Sequence, residues 1–227
     1  MRHLKAFIPE YPVGTAEDIA GMIGEFKPIA RTLIGLSQLK IITFGPRPQD
    51  FFACNAPIKG LYEIGVEVEE NSELDLLVAY KAHAGDPRIP EVCEDMAKEM
   101  GEGCYYPEMN ARMAQLELTL LDWAEQHKGS RKYVAFADKC WPAFPEAFGF
   151  EPCYVNSRLV SRGIPVACEV DIYGALSEYI GMCVSGDTVT LLDINNSVPA
   201  SLYEEDIKDK FNYQLTDTFM GFHCGNT

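Results

Sequence analysis

The sequence predicts an α/β fold: a Rossmann-like, mainly parallel sheet with flanking helices, followed by the start of a β-rich C-terminal domain. Three observations predict it. Short apolar runs alternate with stretches in which apolar residues recur at helical 3–4 spacing. A buried-strand run, a sharp loop and a helical segment over residues 39–52 read as the opening βα unit of an α/β domain. The texture changes after about residue 183, where β-branched residues and turns replace helical periodicity.

A lead-in rich in Pro and aromatic residues covers 1–15, the Rossmann-like domain is expected over 16–183, and the incomplete C-terminal unit over 184–227. Thr15 with Asp18 forms a capping-box signature. Behind it Ile19, Met22, Ile23, Phe26, Ile29, Leu33 and Ile34 mark one helix face, and Pro28 predicts a kink or split near Lys27. Leu39–Gly45 reads as a buried strand ending in the turn Gly45-Pro46-Arg47-Pro48, with a helical segment through Phe51 and Phe52. Arg47 sits at the strand's carboxyl edge, either in a surface ion pair or against a substrate or neighbouring subunit. A short strand over Gly65–Glu69 precedes three helical patterns: Ser72 to Ala82, Ile89 to Met100 and Pro107 to His127. His83 and His127 fall near helix ends, as solvated or capping residues do.

Arg131–Asp138 is the next strand and empties into Lys139-Cys140-Trp141-Pro142, a loop composition suited to a binding site. A short helix through Tyr154 and Leu159 ends at Gly163. Then comes the strand delivering Glu169, followed by a helix from Asp171 to about Met182 and a second apolar run, Thr188–Leu192, delivering Asp193.

The chain carries 34 acidic and 19 basic residues, a net charge of −15. A surface that acidic repels nucleic acid, so the expected partner is a small molecule, a cation or another copy of the chain. With no long apolar stretch and no secretory leader, no membrane association is expected, and the expected location is the cytoplasm. The eight cysteines are scattered without a Cys-x-x-Cys pair and read as free thiols, mostly packed as small hydrophobes.

Ligands collect beyond the carboxyl ends of the strands in open α/β sheets. Glu169, Asp193 and His223 each follow an apolar run. Two carboxylates and an imidazole suit Mn²⁺ or Mg²⁺ with an open position. A cation there polarises a carbonyl, and a carboxylate beside it moves a proton between adjacent carbons. The competing reading is that an acid after a strand simply caps the next helix, a task Asp171 could perform equally well.

Four stretches carry a family resemblance: Lys139-Cys140-Trp141-Pro142, Cys168-Glu169-Val170-Asp171-Ile172-Tyr173-Gly174-Ala175-Leu176, Leu192-Asp193-Ile194-Asn195-Asn196 and Gly221-Phe222-His223-Cys224-Gly225-Asn226. In this order they resemble the L-fucose isomerase/L-arabinose isomerase superfamily, in particular the fucose isomerase-like proteins of anaerobic bacteria. The resemblance implies aldose–ketose interconversion through an enediol, with Mn²⁺ or another divalent cation, in trimers or hexamers. It makes Glu169 a metal ligand and base, Asp193 the second acidic ligand and partner in proton transfer, and His223 a third ligand. Trp141 and Lys139 fall where the family contacts sugar; Arg47 and Asn226 are the further substrate-binding candidates. Family members are longer, with a further N-terminal α/β domain, a longer C-terminal domain and another ligand histidine near their C-terminus. The chain therefore resembles the middle domain and the first piece of the C-terminal one, and weak or no turnover is expected of it alone. The alternative is a non-catalytic sugar-binding or oligomer-assembly module. A nucleotide site lacks support, since no Gly-x-Gly-x-x-Gly or phosphate-loop pattern occurs.

Overall fold

The computed structural model of the chain describes residues 8–223. Its centre is a four-stranded, wholly parallel sheet of β1 (Leu39–Phe44), β2 (Glu67–Asn71), β3 (Tyr133–Ala137) and β4 (Val166–Ala167), in the order β2-β1-β3-β4. The α/β class and mainly parallel sheet expected from the sequence are observed. The strand order reverses between β1 and β3, the switch point at which doubly wound sheets open a crevice.

Alternation along the central strands divides the core between two faces. Ile42, Phe44, Val134 and Phe136 pack beneath α3 (Glu73–Ala82), α5 (Pro107–His127), α6 (Phe144–Phe148) and α7 (Cys153–Ser161). Leu39, Ile41, Ala135, Ala137 and Ala167 pack beneath α2 (Lys59–Glu63), α8 (Ile172–Ser185) and the end of α1 (Ala16–Leu36). Lys40, buried at the amino edge, pairs with Glu67 at 3.1 Å and Glu69 at 3.2 Å and donates to the His127 carbonyl.

The Thr15–Asp18 capping box opens α1 as expected. Pro28, however, neither splits nor ends that helix, which runs unbroken to Leu36. The Gly24 carbonyl that Pro28 cannot engage belongs to an exposed residue, so water can satisfy it. Most of the apolar stripe of α1 is also exposed: Ile23, Phe26, Ile29, Leu33 and Ile34 face solvent in this chain. Of this helix only Gly35 and Leu36 are buried, and Arg31 donates to the carbonyls of Cys183 and Val184 at the end of α8.

The helices expected over Ile89–Met100 (α4) and Pro107–His127 form with those bounds, and Ser72 with Asp75 adds a second capping box at α3. Other elements depart from what the apolar runs suggest. Phe52–Cys54 makes a single 3₁₀ turn, β4 has only two residues, and β2 lies two residues later than expected, at Glu67–Asn71. Beyond α8, Thr188–Leu192 forms no strand. Asp193–Ile194 (β5) pairs antiparallel with Gly221–Phe222 (β6), and Ala200–Leu202 forms the short α9 between them.

A network of charges binds α4, α5 and α7. Arg158 and Glu117, 3% and 1% exposed, meet at 2.6 Å, and Arg158 also reaches Asp95 at 2.7 Å and Glu99. Arg162 adds contacts to Glu117 and Asp95.

Candidate active site

The carboxyl ends of β1, β3 and β4 bring three loops together. Gly45, at φ 121°, turns the chain out of β1 in a conformation that disfavours any side chain. Arg47 follows, donating to the carbonyls of Pro48 and Gln49 at 2.9 Å each, with its guanidinium 4.7 Å from the Phe52 ring centroid. A cleft of about 440 Å³ opens here, lined among others by Thr43, Arg47, Cys54, Asn55 and Val170. Its volume is within the range of small-molecule sites.

Asp138 clasps the loops after β3 and β4 together. Its N–H donates to the Ala167 carbonyl at 3.0 Å, and its own carbonyl accepts from the Val170 N–H at 2.8 Å. The Asp138 side chain is 2% exposed. Oδ2 accepts from Asn156 Nδ2 at 2.9 Å, whereas Oδ1 has no hydrogen-bond partner among the described residues. Burial, opposed by the Asn156 bond and reinforced by the charge of Glu169, pushes the carboxyl up to about 7.

Glu169 and Val170 both hold left-handed backbone, at φ 63° and 55°. Such a conformation is costly for a β-branched residue and clusters at functional sites. Cys140, 4% exposed, directs Sγ to Glu169 Oε1 at 3.4 Å, and the Cys168 and Cys140 sulfurs stand 2.6 Å apart. Glu169 Oε2 is buried and has no partner among the described residues. The bond to Cys140, burial and the charges of Asp138 and Glu169 hold the Cys168 thiol far above its usual range.

The cap of α8 resolves the competing reading of these acids. Asp171 accepts the Gly174 N–H at 2.8 Å and is the N-cap, which leaves the Glu169 carboxylate without a capping task. Glu169, Asp171 and Asp193 nevertheless share one electrostatic neighbourhood. Burial and then the charges of Asp171, Glu169 and Asp193, against that of Arg47, push the Cys54 thiol up to about 11.

Asp193 is exposed, and the β5–β6 register sets it opposite Phe222, the neighbour of His223. His223 lines a second cavity, of about 200 Å³, on the far side of β4 with Asn156, Cys168, Glu178 and Thr188–Leu191. Of the three expected metal ligands, Glu169 alone joins a compact group of ligand atoms among the described residues, and its companions there are Cys140 and Cys168. Trp141 is 49% exposed, and Lys139 is committed to Glu73 at 3.0 Å. Asn226 lies outside the described residues.

Asp138, Cys168 and Asn156 join this site unexpected, whereas Cys140 lies in the loop whose composition suited a binding site. A signal existed for Cys168, which sits at the carboxyl end of a strand beside Glu169; scattered through the sequence, the cysteines read mostly as packing.

A doubly wound α/β domain with a strained acidic turn at the sheet's carboxyl edge is the class defined by this fold and site. No family model matches the chain. It is similar to proteins named sulfoquinovose isomerase. The one from Clostridium sp. (strain MSTE9) is 28% identical over 171 residues, covering 72% of this chain and 37% of that protein. The one from Priestia aryabhattai is 30% identical over 156 residues, covering 67% and 33%. The one from Alkalicoccus urumqiensis is 25% identical over 196 residues, covering 78% and 40%. The chain spans about a third of the length of the curated relatives it matches.

Proposed function

We propose that this chain is the site-bearing α/β portion of a sugar isomerase that interconverts an aldose and a ketose. The observation that carries the reading is Glu169: on strained backbone, relieved of capping by Asp171, with one buried carboxylate oxygen that has no partner among the described residues. The similarity to proteins named sulfoquinovose isomerase supports the reaction class.

By donor chemistry the orphaned Glu169 oxygen and the exposed Asp193 suit a hard divalent cation, Mn²⁺ or Mg²⁺, although among the described residues they do not stand in one compact ligand group. Glu169 and Asp193 would hold it, whereas His223 lines the other cavity. When bound it would supply polarisation of the substrate carbonyl and the neighbouring hydroxyl. Glu169 then takes a proton from one carbon of the open-chain sugar and returns it to the next, through an enediol, with Asp193 sharing the transfer. Burial around Glu169 excludes competing water. Trp141 supplies an apolar ring for the sugar, and Arg47 a positive charge at the cleft. The relatives' names make sulfoquinovose the first substrate to test, ahead of L-fucose, L-arabinose and related sugars.

The same reading includes a homo-oligomer, because the exposed apolar stripe of α1 suits a second copy of the chain. A ketose-formation assay with Mn²⁺ over those three sugars, comparing the wild type with Glu169→Gln, tests the chemistry. Turnover is expected to be weak in this chain and absent in the variant. Turnover that Glu169→Gln leaves unchanged would overturn the role of Glu169. Light scattering tests the assembly, and a strictly monomeric species counts against it.

A further inference from the structure

We propose a second metal mode: Cys140 Sγ, Cys168 Sγ and the Glu169 carboxylate form a binding site for a thiophilic divalent cation of the Zn²⁺ class. The proposal shares Glu169 with the isomerase reading but does not rest on it, since it concerns what the two thiols bind and not the fate of a sugar.

The three ligand atoms lie within 4.8 Å of one another. Two sulfurs and one oxygen form a set that Zn²⁺ accepts in tetrahedral geometry with a fourth position open. On such an ion, with Zn–S bonds of about 2.3 Å, two thiolates stand roughly 3.8 Å apart. The present separation is 2.6 Å, so side-chain rotation has to part the sulfurs by about 1 Å. Cys168 also lines the 200 Å³ cavity behind β4, which gives an ion a way in. Both thiols lose their protons to solvent as the ion binds.

Charge makes the case for a cation. Asp138 Oδ1 and Glu169 Oε2 are both buried, and neither has a hydrogen-bond partner among the described residues. Lys139, the nearest base in sequence, is taken by Glu73. A buried carboxylate needs a proton or a counter-ion. A disulfide between the two sulfurs would leave both carboxylates uncompensated, whereas a divalent cation serves all four groups. The other compact group, His83 with Asp86 and Asp122, makes the contrast. There Arg88 already meets both aspartates at 2.6 Å, and no ion is called for.

Cobalt(II) is the probe. Added to the reduced chain, it is expected to bind one-to-one with a thiolate-to-cobalt charge-transfer band in the near ultraviolet. Zn²⁺ should abolish the band stoichiometrically, and excess Mg²⁺ should not. Cys140→Ser and Cys168→Ser should each weaken cobalt binding at least tenfold, while Cys93→Ser on α4 leaves it unchanged. Absence of the band in the wild type overturns the proposal. So does a band that survives in the Cys140→Ser/Cys168→Ser double variant, or one that Mg²⁺ displaces as readily as Zn²⁺. Because the first two readouts need only the wild-type chain, a variant that fails to fold does not shelter the idea.

Discussion

Glu169 and Val170 hold left-handed backbone one after the other, and neither is a residue that settles there without cost. Each such residue stores roughly 1–3 kcal/mol, which the surrounding fold must offset. Asparagine tolerates this conformation far better than glutamate. Glu169→Asn is therefore expected to stabilise the chain by about 1 kcal/mol, raising the midpoint of thermal unfolding by about 2–4 °C. The same variant should lose any shift of that midpoint on adding Mn²⁺. A lower midpoint would mean that the glutamate supports the turn rather than straining it. Residue type and position made Glu169 legible in the sequence, because an acid after a buried strand is a local pattern. Its thiol neighbours were not, since Cys140 and Cys168 meet only through the parallel pairing of β3 with β4.

Helices and strands differ in how much of them the sequence discloses. The bounds of α4 and α5 follow from periodicity and caps, which are properties of the segment itself. The two-residue extent of β4 and the failure of Thr188–Leu192 to pair depend on neighbours that no local pattern names. The same holds for Arg158, an ordinary helical arginine in the sequence that becomes the buried link among α4, α5 and α7. Arg158→Met should cost about 3–5 kcal/mol, because Glu117 is left charged and buried with only Arg162 against it. Urea denaturation checks this. Adding Glu117→Leu to Arg158→Met should restore much of the loss, since the desolvated charge goes with it. A cost below about 1 kcal/mol for the single change would show that the network acts as an exposed one does.

At the scale of the whole molecule, the segment after α8 is tied back to the sheet by one buried acid. Glu178 Oε1 accepts the Leu191 N–H at 3.2 Å, and Oε2 has no partner among the described residues. Burial, opposed by the N–H groups of Leu191 and Val166 and aided by the charge of Asp171, pushes Glu178 up to about 7 from 4.5. The fold thus favours its neutral form. Its contribution to stability is complete below about pH 4.5, declines as the pH rises towards 7, and is flat beyond, a total of about 3 kcal/mol. Glu178→Gln keeps the acceptor and cannot ionise, so it should unfold at a higher temperature than the wild type at pH 8 and at a similar one at pH 4.5. A wild type that matches the variant at both values would remove Glu178 from this role. The fold class was legible because βα alternation is written locally; this long-range tie was not, because it joins a helix to a segment without periodicity. The backbone clasp at Asp138 carries a last consequence. The loops after β3 and β4 share that residue's two backbone hydrogen bonds, one to the Ala167 carbonyl and one from the Val170 N–H, and β4 is the sheet's edge. Their opening is therefore one cooperative event, with a single free energy governing amide exchange in both loops. Cys140, Cys168 and Glu169 gather or scatter together.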